Sequence, residues 1–226
     1  MKALLVFLAA GAVMLAQTPA PKSAPADNPL LHPANLKAQA PDSFKVKFAT
    51  THGDFVVQVH RDWSPLGADR FYNLVKNKFF DNAAFFRYVN NFIVQFGIPA
   101  DPKVAAVWRD ANIRDDPGKT QNSNRKGTLV FATAGPNTRT TQLFINLKDN
   151  AFLDAQGFTA FGEVIEGMDI ATGLYSGYGE APDQNAIQTQ GGAYLDKNFP
   201  KLDRVKSTTV MTDGAAPAAP KAPPKK

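Results

Sequence analysis

The chain contains no cysteine. That absence excludes disulfides, thiolate chemistry and a lipid carried on an N-terminal cysteine, so stability has to come from the core alone. Histidine is scarce: His32, His52 and His60 are the three present, and none has the i,i+4 partner of a helical metal pair, which makes surface histidines the better reading. No G-x-x-x-x-G-K-[ST] run occurs, and Ser176 is not part of a G-x-S-x-G elbow. Asp115-Asp116 does not form a carboxylate pair for catalysis, because adjacent side chains diverge and Pro117 marks a turn. Lysine and arginine are scattered rather than clustered, so no nucleic-acid footprint is expected. The one long apolar run, Ala3 to Ala16, is too short for a comfortable membrane span.

The two ends are compositionally unlike the middle. Met1-Lys2 followed by Ala3 to Ala16 reads as a signal peptide, although Met14 is larger than the residue usually found three places before a cut. Uncleaved, residues 1–16 are an N-terminal anchor; cleaved, they leave no expected span and an exported, periplasmic or secreted protein. Residues 17–42 are rich in Pro, Ala and Asn without apolar periodicity and read as a linker, and 213–226 as a Pro/Ala/Lys tail. Setting aside Lys2 and the tail, the overall charge of +5 falls to about +2 for the body. One domain is expected over 43–212, long enough to bury a core.

Within that domain the pattern is mainly β. Phe44, Val46 and Phe48 alternate with lysines, and Phe55, Val57 and Val59 follow across a His52-Gly53-Asp54 turn, which predicts a hairpin. Ser64-Pro65 supplies an N-cap and a first-turn proline for a helix ending near Asn77, with Ala68, Phe71, Tyr72 and Val75 on one face. Short apolar runs at 84–89, 92–96, 128–133, 142–146 and 159–164 are separated by Gly, Asn and Pro. A second helix is expected over 166–174 and a last strand over 205–211. Many short strands with two helices suit a small closed barrel, since closure removes exposed edges. Most of the seventeen phenylalanines are expected in its core.

Three blocks occur in order: Phe85-Phe86-Arg87-Tyr88, Phe92-Ile93-Val94-Gln95-Phe96-Gly97, and Phe131 to Ile145, FATAGPNTRTTQLFI. Together they resemble the cyclophilin family of peptidyl-prolyl cis-trans isomerases, whose pattern runs F-H-R, G-F-x-x-Q-G-G and M-A-N-A-G-P-N-T-x-x-S-Q-F-F-I. The resemblance implies an eight-stranded antiparallel barrel with a helix over each open end and a substrate groove on the outer wall. It covers roughly 44–174 and the last strand; the segments 98–126 and 175–202 have no clear match.

The implied activity is rotation about X-Pro bonds, a change opposed by ~18–20 kcal/mol of amide resonance. When the amide twists, the proline nitrogen regains a lone pair that can accept a hydrogen bond. A fixed cation bearing several N–H donors, beside an apolar wall that grips the proline ring, favours that state over the planar one. No nucleophile, metal or cofactor is required. By resemblance Arg87 is the donor and Gln95 its orienting partner, and arginine fits because it presents a planar charged fork. Phe92, Ile93, Phe144 and Leu153 match the proline pocket, and Ala132, Thr133 and Gln142 match positions that line the groove. Gly135-Pro136-Asn137 reads as a turn.

Several residues depart from the family pattern. Thr133 replaces an asparagine, leaving its backbone contact as the surviving one. Phe152 stands where many eukaryotic members carry a tryptophan, and Phe158 where a groove histidine is common if one residue is inserted near 155–157; both make the groove more apolar. Cyclosporin, which engages that tryptophan, is therefore expected to bind weakly. The expected partners are proline-containing unfolded or extended polypeptides. Two other readings follow from the same residues: a proline-peptide binding module or chaperone that has lost turnover, and a barrel scaffold whose termini do the interacting. Retention of Arg87 and Gln95 favours the enzyme.

Overall fold

Alternation along the first strand places Phe44, Val46 and Phe48 inside, and the hairpin forms as β1 (Ser43–Thr50) and β2 (Asp54–His60), with Phe44 opposite Val59 and Phe48 opposite Phe55. The computed structural model describes residues 27–118 and 122–211. The expected leader at 1–16 and tail at 213–226 lie outside them. After the hairpin come α1 (Pro65–Lys76), β3 (Arg87–Val89), β4 (Ile93–Phe96), α2 (Pro102–Trp108), β5 (Thr128–Phe131), β6 (Leu143–Asn146), β7 (Ala160–Glu166), α3 (Met168–Gly173), α4 (Gln184–Gln190), α5 (Gly192–Asn198) and β8 (Val205–Met211). A 3-10 segment, Ala151–Gln156, precedes β7. No helix among the described residues is long and apolar enough to cross a membrane.

The strands make one antiparallel sheet in the order β3-β4-β6-β5-β7-β2-β1-β8. It curls on itself but is not the fully closed barrel expected from the pattern: β3 and β8, its two edges, share no ladder. The gap is spanned by the chain just before β3, where Asn82 N–H donates to Val205 O, Val205 N–H to Ala83 O and Phe85 N–H to Asp203 O. These bonds satisfy part of each edge, which serves the same end as closure.

Inside the curl lies an aromatic core. Phe48 stacks on Phe55 at 4.7 Å, and Phe71 of α1 meets Phe161 of β7 at 5.2 Å. Twelve of the seventeen phenylalanines are buried. Three of the others, Phe92, Phe152 and Phe158, sit at the cleft described below.

Two expectations change. First, the described part of the supposed linker is docked on the domain: Leu30 is buried, Trp108 Nε1 donates to its carbonyl at 2.8 Å, and Ala40 N–H donates to Asp69 at 2.8 Å. Missing periodicity signals missing helix or strand, yet a few prolines in short 3-10 turns can still seat one leucine in a core. Second, three helices join the two expected, because the unmatched segments fold: 98–126 carries α2, and 175–202 carries α4 and α5. These segments pack on each other, with Gly192 N–H donating to Ala100 O at 2.9 Å.

The first of these segments is fastened by buried charge. Ser64 does not cap α1 as its position before Pro65 suggests; its hydroxyl donates to Asp116 at 2.5 Å, and Asp116 itself accepts the first-turn N–H groups of Leu66 and Gly67 at 3.0 and 2.9 Å. A carboxylate there both fills orphan donors and meets the positive end of the helix. Arg139 adds Nη2 at 3.1 Å from Asp116, while its Nε lies 3.4 Å from Asp115, near enough for attraction but not aligned as a hydrogen bond. The adjacent carboxylates thus converge on one arginine rather than diverging.

Candidate active site

On the outer face of the sheet, cross-strand register brings the candidate residues into one row. Arg87 on β3 pairs with Gln95 on β4, Gln95 with Phe144 on β6, and Phe144 with Val130 on β5. Because side chains alternate along a strand, Val94, Phe96, Leu143 and Ile145 point into the main core, whereas Ile93, Phe144, Leu153, Val130 and Ala160 build a second apolar cluster outside it. These strands are therefore buried on both faces, and Ile93, Phe144 and Leu153 of the second cluster line a cleft of about 530 Å³.

All eleven residues singled out from the sequence line that cleft: Arg87, Phe92, Ile93, Gln95, Ala132, Thr133, Gln142, Phe144, Phe152, Leu153 and Phe158. Gly97 shows why the wall comes so close. Its φ of +100° is open to glycine, and a Cβ there would strike the Thr141 carbonyl, so any other residue would push β6 and Gln142 away.

Polar groups form a chain along one side. Gln142 Oε1 accepts from Gln95 Nε2 at 2.8 Å, and Gln95 Oε1 accepts from Arg87 Nη1 at 3.1 Å. Arg87 Nε donates to Glu180 at 2.7 Å. Two of five guanidinium N–H groups are thereby used, and Nη2 has no partner among the described residues. The arginine is held at two points with its remaining donors available and its side chain 26% exposed.

The apolar side is built by aromatic contacts. Phe144 and Phe158 meet edge to face at 5.7 Å, and Phe92 stacks on Phe152 at 5.9 Å. Phe152 and Leu153 ride on the 3-10 segment Ala151–Gln156, which Asn150 ties to Phe92 O at 3.0 Å. Thr133 behaves differently from the rest: its hydroxyl donates to Gly135 O and meets Thr138 Oγ1 at 2.8 Å within its own loop. Its backbone N–H and C=O have no partner among the described residues, so the main chain is what it offers an extended ligand.

Asp154 secures the 3-10 segment from below. It accepts from Asn124 N–H at 2.9 Å, Asn124 Nδ2 at 2.7 Å and the Ser123 hydroxyl. Burial pushes its carboxyl up, but the bonds from Asn124 and Ser123 outweigh that and hold it below the ordinary value. A depressed carboxyl contributes stability above its unfolded value near ~3.9 and loses it as pH falls through the folded one. The stability gap between wild type and Asp154→Asn in urea is accordingly expected to be present at pH ~6 and to shrink towards pH ~3. A gap that stays constant over that range would count against this role.

Sequence reasoning missed several residues at the site, chiefly Arg109, Thr140 and Gln184, which line the cleft, and Glu180, which holds Arg87 without lining it. Glu180, Arg109 and Gln184 belong to the unmatched segments, and no local motif marked them. Among the described residues no cluster of three or more His, Asp or Glu is arranged for a metal.

The family model for cyclophilin type peptidyl-prolyl cis-trans isomerase/CLD matches residues 45–190. A peptidyl-prolyl cis-trans isomerase of Acinetobacter baylyi is 33% identical over 141 residues, covering 60% of this chain and 73% of that protein. Peptidyl-prolyl cis-trans isomerase B of Escherichia coli is 31% identical over 157 residues, covering 63% of this chain and 94% of its own. A crystal structure of a Cryptosporidium parvum cyclophilin type isomerase shares the fold, with a TM-score of 0.57 at 19% identity over 76% of this chain and 99% of that one. The chain belongs to the cyclophilin-type peptidyl-prolyl cis-trans isomerase family. It is an isomerase of X-Pro peptide bonds.

Proposed function

We propose that the cleft seats a proline ring against Phe92, Phe144, Leu153 and Phe158 while Arg87 donates to the proline nitrogen as the amide twists. The observation that carries this reading is the Glu180–Arg87–Gln95–Gln142 chain, which fixes a planar cation beside an apolar pocket. Burying the ring is worth about 1.5–3 kcal/mol, enough to hold it while the flanking backbone turns. Because the donors face a lone pair that exists only in the twisted amide, their stabilisation falls on the transition state rather than on the bound substrate.

The substrates on this reading are unfolded or extended polypeptides containing proline, outside the cytoplasm, whose slow isomerisation limits folding. Support comes from the open cleft and the unpaired main chain at Thr133, and from a Cryptosporidium parvum relative crystallised in the presence of the dipeptide Ala-Pro. Nucleic acid is not among the expected partners. A cis-trans exchange measurement on a short Ala-Pro peptide tests the proposal: exchange should quicken in proportion to protein added. Peptide binding without faster exchange would favour the binding-module reading.

Phe152 also makes a prediction. It is 56% exposed at the cleft mouth and has no N–H to donate, whereas an indole there can both stack and hydrogen-bond. Cyclosporin should therefore bind this protein weakly, and Phe152→Trp should tighten it by roughly three- to tenfold, the worth of one hydrogen bond. Tight binding to the unaltered chain in a calorimetric titration would overturn this role for Phe152.

A further inference from the structure

Among the residues lining the cleft, two carry charge, Arg87 and Arg109, and none is acidic. Their situations differ. Arg87 has its charge met by Glu180 at 2.7 Å. Arg109, the residue that closes α2, is held by two neutral amides of α4: its Nε donates to Gln188 Oε1 and its Nη2 to Asn185 Oδ1, both at 2.6 Å. No carboxylate lies within 4.0 Å of it among the described residues, and its Nη1 has no partner there.

Its position matters as well. Arg109, Thr140 and Gln142 line both the main cleft and a smaller adjoining cavity of about 40 Å³ beside Ile98 and Trp108, whereas Phe92, Ile93, Phe152, Leu153 and Phe158 line only the main cleft. Arg109 thus stands at the Gln142 end of the cleft, away from the apolar pocket. An extended peptide with its proline in that pocket can run past Gln142 to reach it. A guanidinium anchored through Nε and Nη2 has lost part of its rotamer freedom in advance, so less entropy is lost when a ligand binds the rest.

From this we infer that Arg109 is a specificity-determining residue that selects proline peptides carrying an acidic side chain on the Gln142 side of the proline. The inference rests on the proposed seating of proline in the apolar pocket. A neutral side chain at that position leaves Arg109 to water, whereas Asp or Glu forms a charge-assisted bond with it. The group is exposed, so the preference is modest: roughly two- to fivefold for Glu over Gln, and weaker in salt.

A structural role for Arg109, as a strut between α2 and α4, predicts something else. Its loss would weaken all peptides alike. The test is a set of short proline peptides with Glu or Gln placed in turn at each position flanking the proline, assayed both for exchange and for binding by calorimetry. In wild type, the Glu/Gln ratio should rise to roughly two to five at positions on one side only, and fall towards one between about 0.02 M and about 0.5 M salt. In Arg109→Gln the ratio should drop to about one, and in Arg109→Glu it should fall below one. Each ratio is taken within one variant, so a general loss of activity cancels. The salt dependence in wild type remains decisive even where a variant folds poorly. A wild-type ratio near one at every position, or a ratio unchanged in Arg109→Gln, overturns the inference. Glu-selective binding without catalysed exchange would instead leave it standing and remove the isomerase mechanism on which turnover depends.

Discussion

Arg87→Ala is expected to lower kcat/KM for a neutral proline peptide by more than tenfold, a loss of about 1.4 kcal/mol or more of transition-state stabilisation. The reason lies in the geometry. Arg87 reaches the cleft already restrained by Glu180 and Gln95, so its unused N–H groups are positioned before substrate arrives. Removing it deletes the donor and also releases Gln95, which keeps only its bond to Gln142. Arg87→Lys should recover little, because a single ammonium cannot serve Glu180, Gln95 and the substrate with the planar spacing of a guanidinium. Affinity should change less than turnover, since the pocket that grips the ring is intact. If both variants kept near-full kcat/KM, Arg87 would have no part in the mechanism.

Asp116→Ala is expected to be strongly destabilising. The residue is buried and receives Ser64, two helix N–H groups and Arg139. Truncation leaves Arg139, itself only 3% exposed, without its closest carboxylate and strips the cap from α1. Breaking a buried pair in this way costs about 3–5 kcal/mol. Urea denaturation should show the midpoint falling with little change in slope. A loss under about 1 kcal/mol would mean that Asp115, at 3.4 Å, carries the arginine unaided.

These two residues show what could be seen in the chain and what could not. Arg87 was legible because its block, the Gln95 block and the Phe131 to Ile145 block stand in order, and because strand register then places Arg87 beside Gln95 and Gln95 beside Phe144. The hairpin and β8 were legible from alternation, which reports directly which face is buried. Asp116 was not. Its partner Ser64 lies 52 positions away, and locally Ser64-Pro65 reads as a self-sufficient cap. Glu180 is 93 positions from Arg87, in a segment with no motif, and Leu30 sits in a stretch whose composition suggested a linker. Each miss is a long-range polar or single-residue contact. Such contacts leave no periodic trace, because one side chain at one place suffices to make them. The closed barrel was overstated for a related reason: alternation identifies strands but says nothing of whether the outermost two pair.

On this mechanism rotation is catalysed by a fixed guanidinium and an apolar pocket, with no proton transferred. Its sharpest test is kcat/KM on a neutral proline peptide between pH ~6 and ~9, with and without a chelator, where circular dichroism shows the fold intact. Guanidinium groups keep their protons across that range and a glutamine amide has none to lose, while Phe158 brings no titrating group to the cleft. The profile should therefore be nearly flat and indifferent to the chelator. A bell-shaped profile with a limb near neutrality, which general acid–base catalysis produces, or activity lost to the chelator, would contradict it.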